Sequence, residues 1–223
     1  MRVQPLITAV PAREDMALAL VAALHTQRRA HPDAPVAAPI LCMDTAKQGC
    51  WPTSRAAWVL GTWRRSVTHV LVIQDDAVLA DDFVAGATNA LRARPADPVC
   101  FYSARKEVPA AVAKGRPWVS FGGSSWLNAQ AVALPADLAV AFVAWAAQHE
   151  AEQGARWGKS YDTRLAAFLV AHKRPMWVTA PSLVDHADVP SQMGHPRTTG
   201  GRPRRAALFQ AHDTRYIDWS VTL

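Results

Sequence analysis

The first 95 residues alternate short apolar runs with stretches of helical periodicity. Leu6-Ile7-Thr8-Ala9-Val10 reads as a buried strand. Met16, Leu20 and Leu24, with Val21 beside them, give one apolar face to a helix from about Glu14 to Arg29. His31-Pro32-Asp33-Ala34-Pro35 is a turn, and Ala38-Pro39-Ile40-Leu41-Cys42-Met43 predicts a second strand ending at Asp44. Gly49 to Pro52 reads as a loop, with Ser54 placed to cap a helix that carries Trp58 and Trp63. Val70-Leu71-Val72-Ile73 predicts a third strand that stops on Gln74-Asp75-Asp76. Asp81 and Asp82 then stand where a helix from Phe83 to Arg94 needs its cap. This β-α-β-α-β-α order predicts an α/β fold of three layers, a mostly parallel central sheet with helices on both faces.

The pattern changes near residue 97. Val99-Cys100-Phe101-Tyr102 and Trp118-Val119-Ser120-Phe121 read as short strands separated by a polar, Pro-containing connection. A turn at Gly122-Gly123 leads to a strand from Trp126 to Ala133. Pro135 fits the first turn of a helix faced by Leu138, Phe142 and Trp145. Leu165, Phe168, Leu169 and His172 mark another helix, and Pro175-Met176-Trp177-Val178-Thr179 a last strand; beyond Pro181 the chain reads as loop. At 223 residues the expectation is one domain, with halves 1–95 and 96–190 and a basic segment 191–223.

Composition narrows the function classes. Half of the residues are apolar, and no run approaches the ~20 residues of a membrane span. The N-terminus lacks a signal-peptide pattern, so the expectation is a cytoplasmic protein without a membrane partner. Cys42, Cys50 and Cys100 match no metal-binding spacing and are expected as reduced thiols. The net charge of +6, concentrated in part at Arg197, Arg202, Arg204, Arg205 and Arg215, suits phosphate-bearing or polyanionic partners, although a high Ala and Arg content also follows from coding bias.

The candidate chemistry centres on Asp75 and Asp76. Ligands of open α/β sheets bind outside the carboxyl ends of the strands, and two adjacent carboxylates there repel unless a cation joins them, which points to Mn²⁺ or Mg²⁺. The plain alternative is that the pair caps the following helix. Gly154-Ala155-Arg156-Trp157-Gly158-Lys159-Ser160 superficially resembles a phosphate-binding loop, but it is one residue short between its glycines and follows a helix, so it is discarded.

In order along the chain stand a strand followed by Arg13, a strand closing on Asp44, a strand ending in the acid pair, an acid at Tyr161-Asp162-Thr163-Arg164-Leu165, and the late segment Ala180-Pro181-Ser182-Leu183-Val184-Asp185-His186. This order resembles the GT-A fold glycosyltransferases, the Rossmann-like class that uses nucleotide-sugar donors. The resemblance implies that Asp75 and Asp76 match the DxD-type motif, adjacent here rather than spaced by one residue, and that at least one of them holds the ion on the donor diphosphate, with Gln74, Asp75 and Asp76 all open as occupants of the motif positions. It implies that Asp44 contacts the uracil or ribose, where a turn role is the alternative. Arg13 would lie near base or phosphates, unless it is an ordinary loop arginine. Asp162 becomes the general base of an inverting enzyme, with Trp157 and Tyr161 as an acceptor wall; a helix-start carboxylate favoured by the macrodipole is the alternative. His186 is either a third metal ligand or a buried histidine fixing its loop. Gly122 and Gly123, with Ser124 and Ser125, would pass the donor sugar or form a plain hairpin turn. Arg197 and Arg202 would close over the diphosphate or remain a solvated basic tail.

The function expected on this reading is metal-dependent transfer of a hexosyl or pentosyl group from a nucleoside-diphosphate sugar, UDP-sugar foremost, to a hydroxyl. Nine tryptophans and the basic charge suit either a glycan or small-molecule acceptor or a flipped base. The chain is similar in kind to phage-type enzymes acting on hydroxymethylated pyrimidines, which makes DNA a candidate acceptor. A metal-dependent phosphoesterase or nuclease using Asp75, Asp76 and His186, and a non-catalytic nucleic-acid-binding module, are the competing readings.

Overall fold

The computed structural model of the chain describes residues 1–126, 129–158, 160–190, 198–199 and 202–221. In chain order the elements are β1 (Val3–Ala9), α1 (Glu14–Ala30), β2 (Ile40–Met43), α2 (Cys50–Thr62), β3 (His69–Gln74), β4 (Ala77–Leu79), α3 (Phe83–Ala93), β5 (Val99–Cys100), α4 (Glu107–Val112), β6 (Trp118–Phe121), β7 (Ala131–Pro135), α5 (Ala136–Trp157), α6 (Tyr161–Ala171), β8 (Met176–Thr179), β9 (Val184–His186), β10 (Thr198–Thr199) and β11 (Arg202–Pro203). Single 3-10 turns lie at Pro11–Arg13, Gly123–Trp126 and Thr214–Tyr216.

Seven strands form one sheet in the order β2-β1-β3-β7-β5-β8-β6. Side chains alternate across it with the strand period of two: Leu6, Val70, Val72, Val132 and Leu134 enter one apolar cluster, and Ile7, Leu71, Ile73, Ala131 and Ala133 the other. The first cluster is closed by α2, α5 and α6, where Trp58 meets Phe142 edge-on at 6.1 Å; the second is closed by α1 and α3. The protein is thus an α/β sheet covered by helices on both faces. Gly61 lets α2 lie close on this sheet, because a Cβ there would stand 2.4 Å from Val70 Cγ1.

The sheet is mixed rather than mostly parallel. The β1–β2, β1–β3 and β5–β8 pairs are parallel, while β7 runs against β3 and β5, and β6 against β8. The crossover from β3 through α3 sets β5 down one strand away, and β7 fills the gap from the opposite direction.

Local differences have identifiable causes. The helix expected after Ser54 already starts at Cys50, since Asp44 takes the N–H groups of Gln48 (2.8 Å) and Gly49 (2.7 Å) and sets up its first turn; the side chain of Ser54 is buried. The connection after Tyr102 contains α4, and Trp126 to Ala133 is not one strand: a 3-10 turn ends at Trp126, residues 127–128 lie outside the described residues, and β7 begins at Ala131. Pro135 ends β7 instead of entering the helix. Asp82 does not cap α3. Its Oδ1 accepts the Thr214 hydroxyl at 2.8 Å and its Oδ2 the Arg215 N–H at 3.1 Å, tying down the C-terminal segment, while Gln27 Oε1 accepts the N–H of Val84 at 2.9 Å. The stretch after Pro181 is not all loop, because β9 pairs antiparallel with β4 directly after the acid pair.

Candidate functional site

From β1 the chain crosses to β2 on one side and then, through α2, to β3 on the other, with α1 and α2 on opposite faces. The strand order therefore reverses between β1 and β3, and the crevice beyond their carboxyl ends is where ligands of open α/β sheets bind. Arg13 and Asp75-Asp76 stand there, and Asp44 closes β2 beside them, its N–H bonded to Ala9 O at 2.8 Å.

The guanidinium of Arg13 bridges the two carboxylates. Its Nη1 lies 2.8 Å from Asp75 Oδ1 and 2.7 Å from Asp76 Oδ2, and its Nη2 donates to Pro190 O. All three side chains are buried, Arg13 to 8 % exposure. Burial works to lower the Arg13 pKa, but the hydrogen bonds and charges of Asp75 and Asp76 outweigh it and raise the value. For Asp75, burial and the neighbouring Asp76 charge push the pKa up against Arg13 and the Val10 N–H, and the net displacement is upward. The repulsion expected between the acids is thus offset by Arg13, a residue 62 positions away in sequence. Both Asp75 oxygens are engaged, Oδ2 by the Val10 N–H at 3.2 Å, and in this arrangement Asp75 is the ion-pair partner of Arg13.

Asp76 and His186 are arranged differently. Ala77 pairs with His186 across β4 and β9, and Asp76 O accepts the Ala187 N–H at 2.8 Å, which fixes the two side chains side by side. His186 Nδ1 lies 2.6 Å from the carbonyl oxygen of Ala187, so Nδ1 donates there and Nε2 is the ring nitrogen turned to Asp76. Nε2 lies 3.4 Å from Asp76 Oδ2, a separation that either a proton on the ring or a cation held by both atoms would suit. In addition, Asp76 Oδ1 is buried with no hydrogen-bond partner. Among the described residues no three His, Cys, Asp or Glu side chains converge into a metal cage. However, Mg²⁺-type sites use one or two carboxylates completed by phosphate oxygens, and Asp76 alone supplies a donor of that kind, the imidazole of His186 being a softer nitrogen donor outside the oxygen set.

The same corner holds residues that the sequence reading did not single out. Asp185 Oδ1 accepts the N–H groups of His186 (2.8 Å) and Ala206 (2.7 Å), and its Oδ2 binds Arg205 Nη2 at 2.6 Å. A shallow pocket beside His186 is lined also by Ala187, Asp188, Val189, Arg204 and Arg205. Arg204 Nε is buried there without a partner. Arg204 and Arg205 were visible only as part of a basic run. Their place follows from the β9 pairing, which no local pattern announces.

The other expected positions separate into three groups. Asp44 gives both oxygens to the Gln48 and Gly49 N–H groups, which is the turn role. Asp162 opens α6 at the same sheet edge: the preceding Tyr161 donates its hydroxyl to Ala129 O at 2.7 Å and bonds the Gln74 side chain, next to Asp75. Asp162 Oδ1 accepts from the Ser160 hydroxyl and from the Thr163 N–H (2.8 Å), leaving Oδ2 without a hydrogen bond among the described residues. Asp162 does not line the pocket beside His186. Trp157 and Tyr161 are buried to 7 % and 1 % exposure and form no acceptor wall. Gly122 and Gly123 stand away from the acid pair. Phe121, on β6 four strands across from β3, pairs with Met176 at the start of β8, and a Cβ on Gly123 would meet Val170 near the far end of α6. The register sets Gly122 level with His69, and strand rise then places that turn roughly 20 Å toward the opposite sheet edge from the acid pair. Arg197 lies outside the described residues, while the backbone of Arg202 pairs with Thr199 in the β10–β11 hairpin.

Cys42 and Cys100 are buried thiols whose pKa values burial pushes up to about 11 and about 12. Among the described residues no helix is long and apolar enough to cross a membrane. Comparison of the sequence with protein-family models and with curated proteins finds no match.

Proposed function

We propose that this chain is a GT-A type glycosyltransferase that moves a sugar from a nucleoside-diphosphate sugar, a UDP-sugar in the first instance, to an acceptor hydroxyl with Mn²⁺ or Mg²⁺. The observation that carries this reading is His186 Nε2 facing Asp76 Oδ2 across 3.4 Å, beside an unpartnered buried Asp76 Oδ1, at the point where the strand order reverses. Asp76 and His186 would hold the divalent ion, which when bound supplies Lewis-acid neutralisation of the departing diphosphate.

The remaining roles belong to the chain's own groups. Arg13 pairs with Asp76 and aims it, and Asp75 anchors Arg13 to the β1 end through Val10. Arg204, with its partnerless Nε, takes a phosphate oxygen, whereas Arg205 is held by Asp185. Asp162 Oδ2 accepts the proton of the acceptor hydroxyl as it attacks the anomeric carbon, the role of a base in an inverting transfer. The acceptor carries an alcohol, and the +6 chain suits a polyanionic carrier such as DNA bearing a hydroxymethylated pyrimidine.

The test incubates the protein with UDP-, GDP- and dTDP-sugars, with and without Mn²⁺, and follows nucleoside diphosphate release together with the mass of unmodified and hydroxymethylated DNA. Release that needs Mn²⁺ and disappears in Asp76→Asn supports the reading, and a sugar-sized mass gain on modified DNA supports the acceptor. Phosphate-ester cleavage without sugar transfer would point instead to a phosphoesterase. Unchanged nucleic-acid affinity in the Asp75→Ala/Asp76→Ala double variant, without turnover in either protein, would leave a binding module.

A further inference from the structure

The outer side of α2 is apolar where a surface helix is ordinarily polar. Its inner positions Ser54, Ala57, Trp58 and Gly61 are buried, yet Val59 (46 % exposed), Leu60 (40 %) and Trp63 (79 %) face outward at its C-terminal end. The antiparallel neighbour α5 adds Val140, 55 % exposed, and the exposed Ala141 and Ala144; from Leu138 to Gln148 it carries no charged residue. Trp58 against Phe142 fixes these two helices together, so their outward faces form one surface. Contiguous exposed apolar surface of this kind marks an interaction site.

Charge identifies the occupant. From Thr45 to Gln74 the chain has no Asp or Glu, but it has Lys47, Arg55, Arg64 and Arg65. Arg55 faces Glu150, whereas Arg64 and Arg65 are exposed beside Trp63. Arg2 joins them, held by its Nη1 on Ser66 Oγ at 3.3 Å and its backbone N–H on Thr68 Oγ1 at 2.8 Å, with Met1 exposed next to it. Asp137, at the start of α5, is an acid close enough to His69 to act on it. A second copy would set guanidiniums against guanidiniums in a chain of net charge +6. Phosphate-rich nucleic acid would leave Val59, Leu60 and Val140 unburied. An anionic bilayer satisfies both halves, taking aliphatic side chains and indole at the acyl boundary and arginines at the headgroups.

We infer that the outer face of α2 and α5 docks peripherally on an anionic lipid surface, with Trp63 inserted and Arg2, Arg64 and Arg65 on the headgroups. No membrane-spanning element is involved, and the face lies apart from the acid pair, so it stands whether or not sugar transfer is the activity.

The test is co-sedimentation of the full chain with vesicles of phosphatidylcholine alone and with about a third phosphatidylglycerol. Binding is expected to the anionic vesicles only and to weaken with salt. Arg64→Glu/Arg65→Glu should lower partitioning about 30-fold or more. Trp63→Ala should reduce it as well, and all three sites are exposed, so circular dichroism and melting temperature should stay unchanged. Failure to bind anionic vesicles, equal binding to neutral ones, or binding indifferent to these variants overturns the inference. So does loss of duplex DNA binding or of self-association in the variants with vesicle binding intact.

Discussion

Replacing Arg13 with methionine keeps most of the side-chain volume and removes the one cation that bridges Asp75 Oδ1 and Asp76 Oδ2 at 2.8 and 2.7 Å. Two buried carboxylates then face each other with no counter-charge. Breaking a buried pair by deleting one partner typically costs about 3–5 kcal/mol, a large part of a total stability of roughly 5–15 kcal/mol. For a chain of this length that corresponds to a melting temperature lower by about 10 °C. The loss has a definite pH signature. Burial and Asp76 already hold the Asp75 pKa above its ordinary value, and without Arg13 it rises further. A raised carboxyl contributes stability that is full below the unfolded pKa of about 4 and is lost as pH rises through the folded value. The gap between Arg13→Met and the unaltered protein should therefore be widest at neutral pH and close toward acid. Urea unfolding followed by tryptophan fluorescence at several pH values measures it. A loss below about 1 kcal/mol at neutral pH, or one that does not change with pH, would refute the claim that Arg13 neutralises the pair.

Three further outcomes follow from the geometry. Asp82→Ala removes the hydrogen bonds that hold Thr214 and Arg215 and should cost about 2 kcal/mol. Burial opposes ionisation of Asp82, but those hydrogen bonds hold its carboxyl below the usual range, so the stabilisation is present above the unfolded pKa and fades as pH falls through the folded one; a pH series of melting temperatures reads this. Gly61→Ala improves helix propensity, yet its Cβ would meet Val70 Cγ1 at 2.4 Å and Leu6 Cδ1 at 2.8 Å, so urea unfolding should show a net loss of about 1–3 kcal/mol. Asp162→Asn retains an Oδ1 acceptor and should melt normally, while sugar transfer slows by about 10²–10⁴; a rate within a factor of a few of the unaltered protein would remove Asp162 from the chemistry.

The first half of the fold was readable because its signals are local. The switch from the apolar run of Leu6 to Val10 to the helical spacing of Met16, Leu20 and Leu24 needs no partner to be seen, and the second and third strands ended at the acids that mark them. The direction of β7 was not readable, since it is set by pairing with β3 and β5 and not by its own residues. β4 and β9 are three residues each, too short for alternation to register, and with them went the adjacency of Asp76 and His186 as a matter of geometry. Adjacent carboxylates did signal a need for positive charge, but whether a metal or an arginine meets it depends on a residue far away in sequence. Gly122-Gly123 illustrates the opposite error: a glycine pair reads the same at either edge of a sheet, and only the register of β6 on β8 places it.

The most direct measurement is Mn²⁺ binding by electron paramagnetic resonance in the presence of UDP, comparing the unaltered protein with Asp76→Asn, His186→Ala and Asp75→Asn. The account predicts an ion bound together with UDP that is lost in the first two variants and weakened in the third only through a less well-anchored Arg13. Mn²⁺ binding that survives both Asp76→Asn and His186→Ala, or no Mn²⁺–UDP binding in the unaltered protein, would contradict it.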